Sequence, residues 1–311
     1  GGNESKTMKI TSKYTNQGEK DCIMETLLWL ACQPNVKNLG KVHDGQADNE
    51  EHILDEIFRD FDDLKVIRAR EDNFEAEGMG YWRGITIARL EKAVPPDFYL
   101  REHLLRQGEA RCPQWSQLLK HVALCHQIEL KIASIRTVKA KKNFDGESDT
   151  QFCRTVCLVK STAGWSFDTN DSKKAPVELD ANGNKAQGNT APLHFFWDHV
   201  FTAFEKDGQF KYYDPSYGIR GEKFAGTRTE LLKMYAKKAL DGVVYAKKSK
   251  EGSYFEDKKH TGENIDLFAR YKFNTATAEK YEYKYLTGDA MANGLSLSVG
   301  GSETTIKTEK L

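Results

Sequence analysis

Asp198-His199-Val200-Phe201-Thr202-Ala203-Phe204-Glu205-Lys206-Asp207-Gly208-Gln209-Phe210-Lys211-Tyr212-Tyr213-Asp214-Pro215 is the stretch from which the rest of the chain is read. Two runs rich in aromatic and β-branched residues flank Asp207-Gly208, a dipeptide favoured in two-residue hairpin turns because both central positions need positive φ. The turn makes Lys206 and Gln209 partners, so paired residue numbers sum to 415. Phe201 then faces Asp214. His199 lies on the same face two residues further along its strand, since side chains alternate with period two. The pair becomes a diagonal about 7–8 Å apart at the backbone, within reach of an imidazole–carboxylate hydrogen bond.

A His–Asp pair working on acyl groups needs a nucleophile, and two of the six cysteines (22, 32, 112, 125, 153 and 157) qualify. Cys112 precedes Pro113, a residue preferred at the first helical position, and Trp115, Leu118, Leu119, Val122 and Ala123 follow at helical spacing. The pattern predicts a helix from Cys112 to about His126 with the thiol at its N-cap. There the helix dipole and the charge of Arg111 favour thiolate. Cys22, in Gln17-Gly18-Glu19-Lys20-Asp21-Cys22 ahead of an apolar helix, is the alternative nucleophile. Asp21 opposes ionisation there by charge repulsion.

Gly108-Glu109-Ala110-Arg111-Cys112-Pro113-Gln114-Trp115-Ser116-Gln117-Leu118-Leu119, a strand near 128–135, Asp198-His199-Val200-Phe201-Thr202 and Tyr213-Asp214-Pro215 follow one another in that order. Over about residues 100–218 the chain thereby resembles the transglutaminase-like superfamily, and its Arg-Cys-x-x-Trp and Asp-His-Val-aromatic-Thr segments are most similar to the peptide N-glycanase branch. The resemblance implies Cys112 as nucleophile, His199 as general base and acid, and Asp214 as orienting carboxylate. It also implies an α+β fold: a transglutaminase-like (papain-like) core with the nucleophile-bearing helix packed on an antiparallel sheet. The paired Cys-x-x-Cys zinc motifs of that branch are absent, which turns the expectation from deglycosylation toward peptide or side-chain amide hydrolysis. Candidate oxyanion donors are the Cys112 backbone N–H, Trp115 and Gln107. The Gln17-to-Cys22 opening resembles instead that of papain-like, calpain-like and bacteriocin-leader-processing peptidases, where Gln17 would donate to the oxyanion.

Outside these motifs, Ile23, Leu27, Leu28 and Ala31 predict a helix near 21–32 ended by Pro34, and Ile53, Leu54, Ile57, Phe58 and Phe61 a surface helix with one buried stripe. Residues 71–84 read as loop, 98–105 as a short helix, and 128–138, 152–160, 195–206 and 209–214 as strands. The stretch 168–192, rich in Asp, Asn, Lys, Gly and Pro, reads as a long surface insertion that lengthens the interval from Cys112 to His199. Thr227-x-x-Glu230 is a capping box for a helix over Leu231–Leu240, stopped by Gly242. The alternating tail 264–311 is expected to form strands packed on the core or a small β appendage, without entering the site. The organisation is then a mainly helical region 1–97, a catalytic core 98–242 and a β-rich C-terminal extension 243–311.

Composition excludes several other classes. A chain of 311 residues with 39% apolar content, including 16 Phe and 5 Trp, can bury a core and is not globally disordered. Forty-six basic residues balance 46 acidic ones, so no net field draws the chain to nucleic acid or an anionic membrane. The best apolar run, Leu27 to Cys32, is far short of the roughly 18–20 residues that cross a bilayer. Cysteine spacing gives neither a zinc site nor a disulfide framework, His121 and His126 lack recognisable partners for a metal, and no cofactor is expected. Gly1 to Lys6 carries no charged-then-apolar leader, so the expectation is a soluble chain, either cytoplasmic or secreted or periplasmic after removal of a signal. The expected partner is a protein or peptide substrate, cleaved or transferred through a thioester that water or an amine resolves. A catalytically silent binding module on the same fold, presenting its aromatic tail strands to a partner, is the reading from a different class.

Overall fold

In the computed structural model the described residues are 22–32, 50–69, 76–81, 100–137, 152–160, 165–166, 177–178, 184–189, 195–196, 198–248 and 281–305. In chain order they form α1 (Cys22–Ala31), α2 (Glu50–Asp62), β1 (Ile67–Ala69), β2 (Ala76–Gly78), β3 (Gly80–Tyr81), a π-helical turn at Leu100–Leu105, β4 (Glu109–Ala110), α3 (Cys112–Cys125), β5 (Lys131–Thr137) and β6 (Phe152–Val159). Then follow β7 (Trp165–Ser166), β8 (Val177–Glu178), β9 (Phe195–Phe196), β10 (Asp198–Lys206), β11 (Gln209–Asp214), β12 (Ile219–Arg220), β13 (Phe224–Ala225), α4 (Arg228–Ala239) and β14 (Leu240–Lys248). The last described elements are β15 (Tyr281–Leu286), a 3₁₀ turn at Gly288–Gly294, β16 (Leu295–Val299) and β17 (Ser302–Thr305). The fold is α+β with antiparallel sheets; β3 and β4 add a two-residue parallel pair.

The β10–β11 hairpin is the centre of the molecule. Asp207 (φ 52°) and Gly208 (φ 71°) both take positive φ, as a type I′ turn demands. The register runs from Lys206↔Gln209 to Thr202↔Tyr213, the pairing that the dipeptide dictates. On its other edge β10 pairs with β5, giving the main sheet the order β12-β11-β10-β5-β16-β17, with β13 also on β11. Alternation then divides the hairpin between two cores. Phe204 and Tyr213 join the helical core of Leu27, Leu54, Phe58 and Trp115. Phe201, Ala203, Phe210 and Tyr212 join the core that α4 closes with Leu231, Leu232 and Tyr235. Each fully buried large apolar side chain contributes about 1.5–3 kcal/mol over exposure.

Helix α2 buries the predicted stripe and turns acidic residues to the hairpin. Lys211 Nζ bonds Glu51 Oε1 at 3.0 Å and Asp55 Oδ2 at 2.8 Å, while the Tyr213 hydroxyl donates to Asp55 Oδ1 at 2.9 Å. Helix α4 begins with the Thr227–Glu230 capping box, both reciprocal bonds being present. It passes directly into strand at Leu240, before Gly242, because β14 pairs with β6 from Leu240↔Val159 onward and absorbs the change of direction as a register shift between Leu240 and Gly242. The second sheet has the order β15-β14-β6-β9.

Residues beyond 243 contribute to both sheets: β15 pairs with β14, and β16 pairs with β5. Leu297, Ile135 and His199 form one row across three strands, so this tail strand lies one strand away from the strand carrying His199. The segment 184–189 corrects the reading of 168–192 as surface insertion, since Ala186 and Gln187 are buried. Gln187 Nε2 donates to the carbonyls of Phe61 (2.8 Å) and Pro215 (2.7 Å), and backbone carbonyls can satisfy such a polar side chain away from water. Among the described residues no helix is long and apolar enough to cross a membrane.

Candidate active site

Asp214 ends β11 and His199 is the second residue of β10, on the α4 side of the sheet. His199 Nε2 lies 2.8 Å from Asp214 Oδ2, with both side chains buried. Every acceptor position of the carboxylate is engaged. Oδ2 also takes the Tyr235 hydroxyl at 2.8 Å, and Oδ1 takes the backbone N–H groups of Ser216 (3.0 Å) and Tyr217 (3.4 Å). The turn that supplies those amides needs Gly218: its φ is +62°, and a Cβ there would stand 2.7 Å from the Phe61 carbonyl oxygen.

The imidazole is clamped by rings. Tyr217 stacks on it at 4.5 Å and 6°, and Phe196 lies 5.1 Å away. A carboxylate only accepts, so Nε2 carries the hydrogen and donates. Nδ1 is then the nitrogen left over, buried and without an ordinary hydrogen-bond partner. Burial by itself pulls the imidazolium down. The charges of Asp214 and Cys112, and the hydrogen bond that His199 donates to Asp214, oppose it and raise the His199 pKa to about 10.

Cys112 reaches His199 because of how α3 is seated. Ser116, one turn after Cys112, donates its hydroxyl to the Val200 carbonyl at 3.0 Å, and Val200 follows His199. The bond pins the first turn of α3 to the start of β10. The thiol is the first residue of the helix, with Arg111 as N-cap in extended geometry (φ −92°, ψ 176°), so the expected cap position moves one residue upstream. Cys112 still sits at the positive end of the helix dipole. Its thiol is free and partly exposed.

Of the remaining expected residues, Trp115 and Gln107 are described. Trp115 is buried in the helical core, edge-on to Phe61 at 6.3 Å, with its indole N–H unpartnered. Gln107 is exposed on the turn before Gly108. Cys22 opens α1, but its side chain and Gln17 lie outside the described residues. The structure also brings in Tyr81, which falls in the stretch read as loop. Pairing Tyr81↔Ala110 aligns β3 with the strand leading into Cys112, and the Tyr81 ring leans on Tyr217 at 6.0 Å. Burial raises the Tyr81 phenol well above its usual range, and the charge of Cys112 and a hydrogen bond to it push the same way. Tyr81 is therefore a neutral O–H donor beside the sulfur.

No family model, curated protein or solved structure matches the chain. Among the described residues no three His, Cys, Asp or Glu side chains form a metal-binding group, and His126 Nε2 is paired with the Ala31 carbonyl at 2.8 Å.

Proposed function

We propose that the chain is a cysteine-dependent acyl-transfer enzyme on a transglutaminase-like (papain-like) core, acting on amide bonds of peptides or protein side chains. The observation that carries this reading is the buried His199–Asp214 pair, which leaves Nδ1 without a partner and feels the charge of Cys112, a thiol at a helix N-terminus. Cys112 Sγ attacks the amide carbonyl carbon, and the carbon–nitrogen bond breaks as the imidazolium gives its Nδ1 proton to the departing amine. Asp214 keeps Nε2–H engaged throughout and stabilises the imidazolium. The Cys112 backbone N–H and the Tyr81 hydroxyl are the donors we assign to the developing oxyanion. Water or a second amine, deprotonated by Nδ1, then attacks the thioester and releases Cys112.

The test is incubation of the chain with a glutamine-bearing protein and a fluorescent primary amine. Released ammonia, new peptide termini and incorporated amine are measured separately. Turnover in any channel that disappears in Cys112→Ala supports the proposal and identifies the acyl acceptor. Turnover that survives Cys112→Ala would overturn the assignment of the nucleophile.

A further inference from the structure

We propose that Tyr235 is a positioning residue of this site, its hydroxyl fixing the Asp214 carboxylate and sharing the oxygen that holds His199. The inference rests on the acyl-transfer reading above. His199 Nε2 and the Tyr235 hydroxyl both donate to Asp214 Oδ2, each at 2.8 Å, and all three side chains are buried. Two donors on one carboxylate oxygen compete for its charge, so the phenol limits how tightly Asp214 grips the imidazolium.

The phenol is built to stay in place. Its helix is anchored by the Thr227–Glu230 capping box. The ring stacks on Phe201 at 4.2 Å and 4°, two residues along β10 from His199, and meets Tyr212 edge-on at 5.3 Å. Burial raises its pKa well above the usual range, and the charge of Asp214 adds to this, so the hydroxyl remains a neutral donor while His199 titrates. The titratable groups facing the linkage are Asp214 and Tyr212 from β11, Tyr217 from the following turn, His199 from β10, Cys112 from α3 and Tyr81 from β3. Of these, the Asp214 carboxylate is the one that Tyr235 touches by hydrogen bond.

The test follows the His199 ring by NMR across pH in the full chain, alongside kcat and KM where turnover is measured. Tyr235→Phe should raise the His199 midpoint by about half a pH unit or more, because the whole carboxylate charge then falls on the imidazolium. It should lower kcat about tenfold with KM unchanged. Tyr212→Phe removes a hydroxyl from the same aromatic cluster, one that does not bond Asp214 among the described residues, and should leave the midpoint unmoved. Should Tyr235→Phe fail to fold, fluorotyrosine at 235 keeps the shape, strengthens the donor and should move the midpoint down. A midpoint that responds to neither change would make Tyr235 a packing residue. The titration needs no turnover, so this failure is distinct from loss of the acyl-transfer reading, which shows instead as an inert Cys112 in the unmodified chain.

Discussion

Strand β11 carries two clusters of similar composition on its opposite faces. Toward α2, Lys211 and Tyr213 meet Asp55; toward α4, Asp214 meets His199 and Tyr235. Each cluster is a carboxylate, a cationic group and a phenol. Asp55 is 29% exposed and also binds Arg220, and Lys211 spends its donors on Asp55 and Glu51. Asp214 is fully buried, and the imidazole it holds keeps a second nitrogen unspent. An ammonium near neutrality offers no lone pair, whereas imidazole can accept with one nitrogen while donating with the other. The first cluster therefore staples helix to sheet, and the second keeps a buried ring nitrogen without a partner.

The largest expected effect separates the two aspartates. Asp214→Asn should keep the fold and lose turnover by up to about 10⁴, since an amide can orient the ring but cannot stabilise imidazolium by charge. Asp55→Asn should leave the rate within about threefold while lowering stability by roughly 1–2 kcal/mol, a modest figure because the site is partly solvated. Denaturation midpoints and rates measured on both variants decide the matter. Equal rate losses at the two positions would erase the distinction between staple and catalyst.

The next effect probes the seating of α3. Ser116→Ala should lower kcat about tenfold through misplacement of Cys112, with a stability loss of about 1 kcal/mol. A rate that keeps pace with stability alone would mean that packing, not this bond, positions the thiol.

What the sequence reveals and what it hides follow from range. The hairpin register, the Cys112 helix and the α4 capping box each depend on a few neighbouring residues, and all three are legible before any tertiary contact is known. Helix α3, by contrast, is seated by a bond that spans 84 residues, from Ser116 to Val200. Tyr235 comes from a helix whose stripe is indistinguishable, in sequence, from core packing. Tyr81 sits in a two-residue strand among glycines, between Met79 and Trp82, with no periodicity. Gln187 lies in a stretch whose polarity points to solvent, yet its carbonyl takes the Tyr81 N–H at 2.5 Å and its amide braces the turn after Asp214. Such contacts are set by topology, and no local pattern encodes them.

The remaining effect is on the pH dependence of stability. Against the pull of burial, the charge of Asp214 holds the His199 pKa up, to about 10 against roughly 6.5 for an unfolded imidazole, so folding favours its protonated form. That stabilisation is fully present below about pH 6.5 and is lost as pH rises through about 10. Compared with His199→Gln by chemical denaturation, the parent chain should lose up to about 1.4 kcal/mol per pH unit across that window. A difference that stays flat would mean that the pair toward α4 is not an ion pair when folded.

The most direct measurement of the central claim is the rate at which iodoacetamide labels each cysteine of the native chain at neutral pH, resolved by peptide mass spectrometry. Cys112 should react faster than free cysteine and faster than the exposed Cys32, while Cys157, whose thiol burial pushes up, stays slow. The advantage of Cys112 should vanish in His199→Gln. A Cys112 no faster than free cysteine, or a His199-dependent reaction at Cys22 in its place, would contradict the account.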